Sequence, residues 1–315
     1  MRKLIIGLIL LLVIFTTLIY IFIPAKLTIS CYQTATTTDN GAQRFINDGH
    51  NWSKWWLYNM TTASRAETFT RYINNGTEYR LTQKLYKGAV IQIKQGSTEL
   101  ESQMAIIPIP QDSIGINWTC SLATGSDPFS RFAKYLEAKS IKKNMNEVLQ
   151  NLSSFLSKKE NVYGISIERT SISDTAFISS KTVISTYPTT PQVYALIKTI
   201  QGFAAKNNVK QSGFPIYNVA PIENNQFQLM AAIPVERTIE GNDQFSPKKM
   251  VKGGFMVTEV VGGEYTVEQA AKKLKEYFDD YRKTSMAINF TMLVTDRMLQ
   301  PDTSKWVTKL YQPVY

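Results

Sequence analysis

The sequence predicts an α+β protein in three parts: an N-terminal transmembrane helix, an antiparallel sheet closed by one long helix, and a duplicated βαββ arrangement. Three observations predict it. Residues 4–23 form an uncharged apolar run. Alternating, β-branched stretches broken by turn residues then lead into a long amphipathic run that ends near residue 160. Beyond it a strand–helix–strand–strand pattern occurs twice, with a period of about 75 residues. The boundaries fall at 1–25, 26–160 and 161–315.

The apolar run, Leu4 to Ile23, spans a ~30 Å hydrocarbon core at ~1.5 Å rise per residue. A cleaved signal peptide is the competing reading. Its apolar region is usually ~7–15 residues and ends in small residues, and "FIPAK" fits that poorly. Cys31, preceded by "LTIS", does not sit in a lipoprotein box. Arg2 and Lys3 precede the run and Lys26 alone follows it, so the positive-inside tendency puts the soluble part on the non-cytoplasmic side. In an oxidising space Cys31 and Cys120 either pair or remain two buried free thiols.

Strand signals follow. "KLTISCYQTATT" alternates, and a short helical stretch comes next, "NGAQRFINDGHNWSKWW". The runs "ETFTRYI", "EYRLTQKLY", "AVIQIK", "TELESQMAIIPIP" and "IGINWTCSLA" read as a meander, with turns at Asn74-Asn75-Gly76, Lys87-Gly88 and Gln95-Gly96. The closing helix is capped by Asp127, with Pro128 in its first turn. Ile141, Met145, Val148, Leu149, Leu152, Phe155 and Leu156 form its apolar stripe. This layout, with "FINDGHNWSKWW" near its start, resembles the START-like, polyketide-cyclase-like (SRPBCC) superfamily. The resemblance implies a helix-grip fold and a cavity for an apolar ligand. Trp52, Trp55, Trp56 and Trp118 either line that cavity or serve as core.

In the last part "YGISIERTSI" reads as a strand and "TPQVYALIKTIQGFAAKNN" as a helix with Thr190 as cap. "FPIYNVAPI" and "NQFQLMAAIPVE" are strands. The second pass is "GGFMVTEVVGGE", the helix "TVEQAAKKLKEYFDDYRKT", then "INFTMLVTD" and "KWVTKLYQPVY". "SGFPIYNV", "LMAAIPVE", "GGEYTVEQAAKKLKEYF", "FTMLVTD" and the terminal "QPV" are similar to the GyrI-like domain, an effector-binding module also found attached to AraC- and MerR-type activators. The resemblance implies a small-molecule pocket between the repeats. Its candidate lining residues are Tyr217, Phe255, Phe290, Thr291 and Leu293. Relatives often place a carboxylate and a tyrosine where this chain has Thr291 and Leu293, so the resemblance implies a neutral ligand rather than a lipophilic cation. Asp296 is read as a turn residue. Within "INFTMLVTD" the Ile288/Phe290/Met292/Val294 face is expected under the repeat helix, and the Asn289/Thr291/Leu293/Thr295 face toward the groove.

Composition excludes several function classes. The chain has 315 residues, 43% hydrophobic and 19% charged, which suits folded domains. The net charge of +10 is scattered, with its densest runs at Lys139–Lys143 and Pro247–Lys252. No helix-turn-helix, zinc-finger or arginine-rich pattern is present, so the charge is read as facing anionic lipid rather than nucleic acid. One His and two Cys are too few for a Cys/His zinc site. There is no P-loop, GxGxxG after a strand, or HExxH. No catalytic residue, metal or cofactor is expected. The acid/base candidates Glu99, Glu101, Glu259, Glu264 and His50 form no paired constellation.

The expected function is membrane-anchored, non-catalytic binding of a small, mainly neutral hydrophobic molecule, with residues 4–23 in the bilayer. The alternatives are a hydrolase or cyclase acting on a hydrophobic substrate, and a structural or partner-binding protein with degenerate pockets.

Overall fold

The computed structural model describes residues 2–56, 71–172, 175–250, 253–285 and 287–314, and divides into two compact units, Met1–Val162 and Tyr163–Tyr315. The expected strand "ETFTRYI" lies outside the described residues up to position 70, as does the end of the basic run at 251–252.

The first unit opens with helix α1 (Arg2–Phe22), which is long and apolar enough to cross a membrane; the window Ile5–Phe22 has mean hydropathy 2.9. Strand β1 (Lys26–Ala35) follows, then helix α2 (Asp39–Ile46) and a 3-10 turn, Gly49–Lys54. Strands β2 (Arg71–Asn74), β3 (Thr77–Leu85), β4 (Gly88–Gln95), β5 (Thr98–Ile109) and β6 (Ser113–Ala123) form an antiparallel meander. β1 closes onto β6, giving the order β1-β6-β5-β4-β3-β2. Asn75 and Gly76, at φ 47° and 76°, make the β2–β3 hairpin, as Asn-Gly does where both central residues need positive φ.

Helix α3 (Pro128–Leu156) packs across this sheet. Asp127 caps it by accepting the Ser130 N–H at 2.9 Å. Of the expected stripe, all but Phe155 are fully buried, and each such side chain contributes roughly 1.5–3 kcal/mol. Half-buried Phe155 meets Phe45 edge-on at 4.9 Å. Asn144 is the one polar residue buried on this helix, and donates to the Thr77 hydroxyl at 2.7 Å. A short helix, α4 (Lys159–Tyr163), follows and runs to the first residue of the second unit.

The second unit holds β7 (Glu168–Ser171), β8 (Ala176–Ile184), α5 (Thr190–Lys206), β9 (Ile216–Ile222), β10 (Gln226–Val235), β11 (Ser246–Lys249), β12 (Gly254–Val261), α6 (Glu264–Asp280), β13 (Phe290–Leu293) and β14 (Val307–Val314). The strand order is β11-β8-β10-β9-β13-β14-β12-β7. The two βαββ passes are therefore β8-α5-β9-β10 and β12-α6-β13-β14, and their strand orders mirror each other about the β9–β13 seam. The first pass does not begin at "YGISIERTSI". That stretch supplies only the exposed edge strand β7, paired to β12. The strand that opens the pass is β8, where Ser179 and Ser180 sit at buried positions and blur the alternation.

Two further expectations are corrected. The cap of α5 is Thr189, not Thr190: Gln192 reaches back to accept the Thr189 N–H at 2.8 Å. The helix-facing side of β13 is also corrected: the Thr291/Leu293 side, expected toward the groove, lines the cavity and is also the side that meets the helices. Leu293 joins Val193, Ile197, Ile200 and Leu229 in the cluster beneath α5. Phe290 joins Phe177, Ile216, Ala232 and Phe255 on the opposite face, while Ile288 lies outside the strand at 61% exposure. Strand periodicity separates two faces, but when both carry apolar residues it does not say which one meets a helix.

Candidate functional site

In the second unit a cavity of about 580 Å³ lies where the N-terminal halves of α5 and α6 face the central strands. Tyr217 on β9, Thr291 on β13 and Leu310 on β14 form one row of its floor. Thr291 is the register partner of both neighbours, so the three side chains share a face. α5 contributes Thr190, Val193 and Tyr194, and α6 contributes Glu264, Val267 and Ala271. Tyr187 and Tyr265 are exposed at the rim.

The wall also carries Arg297, in the turn after β13. Asp296 shapes that turn, as expected, by accepting the Met298 N–H at 2.9 Å. Arg297 is 8% exposed. Its Nη2 donates to the Thr308 hydroxyl at 2.9 Å and Nη1 to the Thr190 hydroxyl at 3.5 Å. Its backbone N–H donates to the Tyr194 hydroxyl at 2.9 Å, which in turn donates to the Thr295 carbonyl at 3.3 Å. The guanidinium lies over the Trp306 ring, 4.7 Å from its centre. Nε is buried with no hydrogen-bond partner among the described residues. Glu264 accepts from the Thr190 hydroxyl, so one threonine spaces the carboxylate from the guanidinium. Burial raises the Tyr217 phenol above its usual range, and the nearby Arg297 and Thr291 pull it partly back.

Of the five residues expected in this pocket, Tyr217, Thr291 and Leu293 line the cavity. Phe255 and Phe290 lie across the sheet, in an open apolar trough of about 510 Å³ that Lys248 and Lys249 border. Sequence reasoning missed Arg297, Tyr194 and Thr190. The one available signal was a lone basic residue directly after a groove strand.

In the first unit Trp52 and Trp118 are 1% exposed and Trp55 is 5% exposed. Trp52 stacks on Trp56 at 5.6 Å, and the cluster continues through Tyr72 and Tyr79 to Trp118. All four indole N–H groups donate to protein acceptors: the Ile46, Phe45 and Ile73 carbonyls and the Ser102 hydroxyl. A ligand would reach the three buried rings only after the unit opened.

Of the acid/base candidates only Glu99 and Glu101 are neighbours, exposed on one face of β5. His50 is exposed beside Asp48, Glu259 pairs with Lys309 at 3.2 Å, and Glu99 accepts from Gln92. Only Glu264 borders the cavity.

No protein-family model matches the sequence, and no curated protein matches it. Among solved structures, the chain is similar to the C-terminal domain of EcmrR, with 11% identity and a TM-score of 0.42, over 48% of this chain and 98% of that one. It is similar to SAV2435 bound to tetraphenylphosphonium, with 12% identity and a TM-score of 0.33, over 48% and 94%. It is similar to a hydrolase from Listeria innocua, with 8% identity and a TM-score of 0.38, over 47% and 91%.

Proposed function

We propose that the second unit is a GyrI-like binding module that takes a small, mainly apolar molecule in the cavity between α5 and α6, and that α1 anchors the chain in a membrane. The cavity carries the reading. Its volume of about 580 Å³ falls within the ~300–1,000 Å³ of small-molecule sites. Tyrosine rings and aliphatic side chains dominate its walls. Thr291 stands where the GyrI-like resemblance places a carboxylate, and Arg297 adds a positive charge, so a lipophilic cation finds no buried counter-charge there. This favours binding over the reading in which both folds have lost their pockets.

The membrane reading draws support from the C-terminal end of α1. Tyr20 donates to the Ser126 carbonyl at 2.6 Å, and Arg131 covers the Tyr20 ring at 4.4 Å. Phe129, Phe132 and Leu136 lie exposed on α3 beside this junction, Phe129 at 81%. Apolar residues at i, i+3 and i+7, next to a spanning segment, suit the headgroup boundary.

Melting of the full-length protein in lipid nanodiscs, with and without a panel of neutral aromatic and aliphatic compounds, tests the binding reading. Some compounds should raise Tm, and the cavity-filling Ala271→Trp variant should not share the rise. A panel that leaves Tm unmoved would count against it.

A further inference from the structure

One charge in the cavity wall lacks a charged partner. A guanidinium has five N–H donors and almost never sits buried without an acidic partner. Arg297 is 8% exposed, its side chain meets the hydroxyls of Thr190 and Thr308 with the Tyr217 phenol beside them, and its Nε has no hydrogen-bond partner among the described residues. Among the described residues no carboxylate lies within ion-pair distance of it. Hydroxyls compensate a desolvated cation less well than a carboxylate does.

We propose that the ligand of this cavity carries a carboxylate that pairs with Arg297, with its apolar body against the tyrosine-lined walls. The proposal rests on the cavity being a binding site and names the charge of what it holds. The Tyr217 hydroxyl lies beside the same guanidinium, and the Thr291 hydroxyl lies beside Tyr217 in the same cavity. The first turns of α5 and α6 both border the cavity and add the positive ends of their dipoles. The N-cap position of α6 is Gly263, which offers no side-chain cap. Glu264 and Glu268 are exposed, so water and salt screen them from a buried anion. Glu264 is also occupied by the Thr190 hydroxyl.

The test uses full-length protein in nanodiscs of neutral lipid and three probes of one shape: 2-naphthoate, 2-naphthamide and 2-naphthylmethylammonium. Calorimetric titration should rank the carboxylate at least about tenfold tighter than the amide, with the cation weakest. Arg297→Met should abolish the preference for the carboxylate while keeping amide binding. If that variant fails to fold, Tyr217→Phe/Thr291→Val, which keeps the charge, should still narrow the preference. Equal binding of carboxylate and amide would overturn the inference and leave the cavity reading standing. Binding of no probe would overturn both.

Discussion

Thr190 holds Arg297 and Glu264 apart with a single hydroxyl, accepting from the Arg297 Nη1 at 3.5 Å while donating to the Glu264 carboxylate. The two opposite charges therefore do not neutralise each other directly. One stays in the wall and the other stays in water.

That separation gives a charge-inversion experiment. Thr291→Glu would bring a carboxylate to the floor beside Arg297, where the two would pair. We expect 2-naphthoate binding to be lost and no cation binding gained. Thr291→Glu combined with Arg297→Met should reverse the selectivity, so that 2-naphthylmethylammonium binds and 2-naphthoate does not. Calorimetry on both variants checks this.

Trp306 supports Arg297 from beneath, and its own indole N–H donates to the Gln300 carbonyl at 2.8 Å. Trp306→Leu removes the ring face and that hydrogen bond together. We expect a loss of roughly 2–4 kcal/mol, read from the urea midpoint of the transition that includes the second unit.

In the first unit the Asn144–Thr77 bond is buried within the helix–sheet interface. Asn144→Ala leaves the Thr77 hydroxyl without its donor, and should cost about 1–3 kcal/mol. Asn144→Ala with Thr77→Val should recover part of the loss, which a double-mutant cycle measures.

Burial pushes the Cys120 thiol up from 9.0 to about 11, with Cys31 adding to the rise, and burial also raises Cys31 itself. The folded state holds these protons more tightly than the unfolded state. Stability from this source is complete below pH 9.0 and falls as pH climbs from there toward about 11. A thiol-reactive disulfide should label the native reduced protein slowly at pH 8 and both thiols quickly after denaturation.

The α3 patch makes the membrane reading testable. In full-length protein reconstituted into vesicles, Phe129→Trp should add a blue-shifted emission component that lipid brominated near the headgroups quenches. Emission at the wavelength of water-exposed indole, with no quenching, would place the patch away from lipid.

Much of the fold is legible in the sequence where local chemistry decides. Asp127 before Pro128 caps α3, Asn75-Gly76 makes the first hairpin, and the α3 stripe is buried nearly as spaced. β8 escapes notice because Ser179 and Ser180 are buried polar residues, with Ser179 donating to the Ser246 carbonyl at 3.0 Å. No alternation rule anticipates serines made welcome by a neighbouring edge strand. Of the cavity, the floor residues Tyr217, Thr291 and Leu293 are legible and the charged wall is not. Arg297 acquires its role from Tyr194, Thr190, Trp306 and Thr308, which come from a distant helix, a loop and another strand. The one mark near Arg297 in the sequence, its place directly after a groove strand, is shared by many solvated surface arginines.

The mirrored sheet is joined at its middle by little backbone. β9 and β13 meet through Tyr217 with Thr291 and Ile216 with Met292, reinforced by the Leu293 N–H to the Pro215 carbonyl and by the Asn218 amide on Asn289. The cavity floor lies along that narrow join. A molecule seated there would act as a keystone, touching both halves at once and resisting their hinging apart. Occupancy would then register as stiffness, with amide exchange slowed along β9 and β13 while the outer strands β11 and β7 exchange as before.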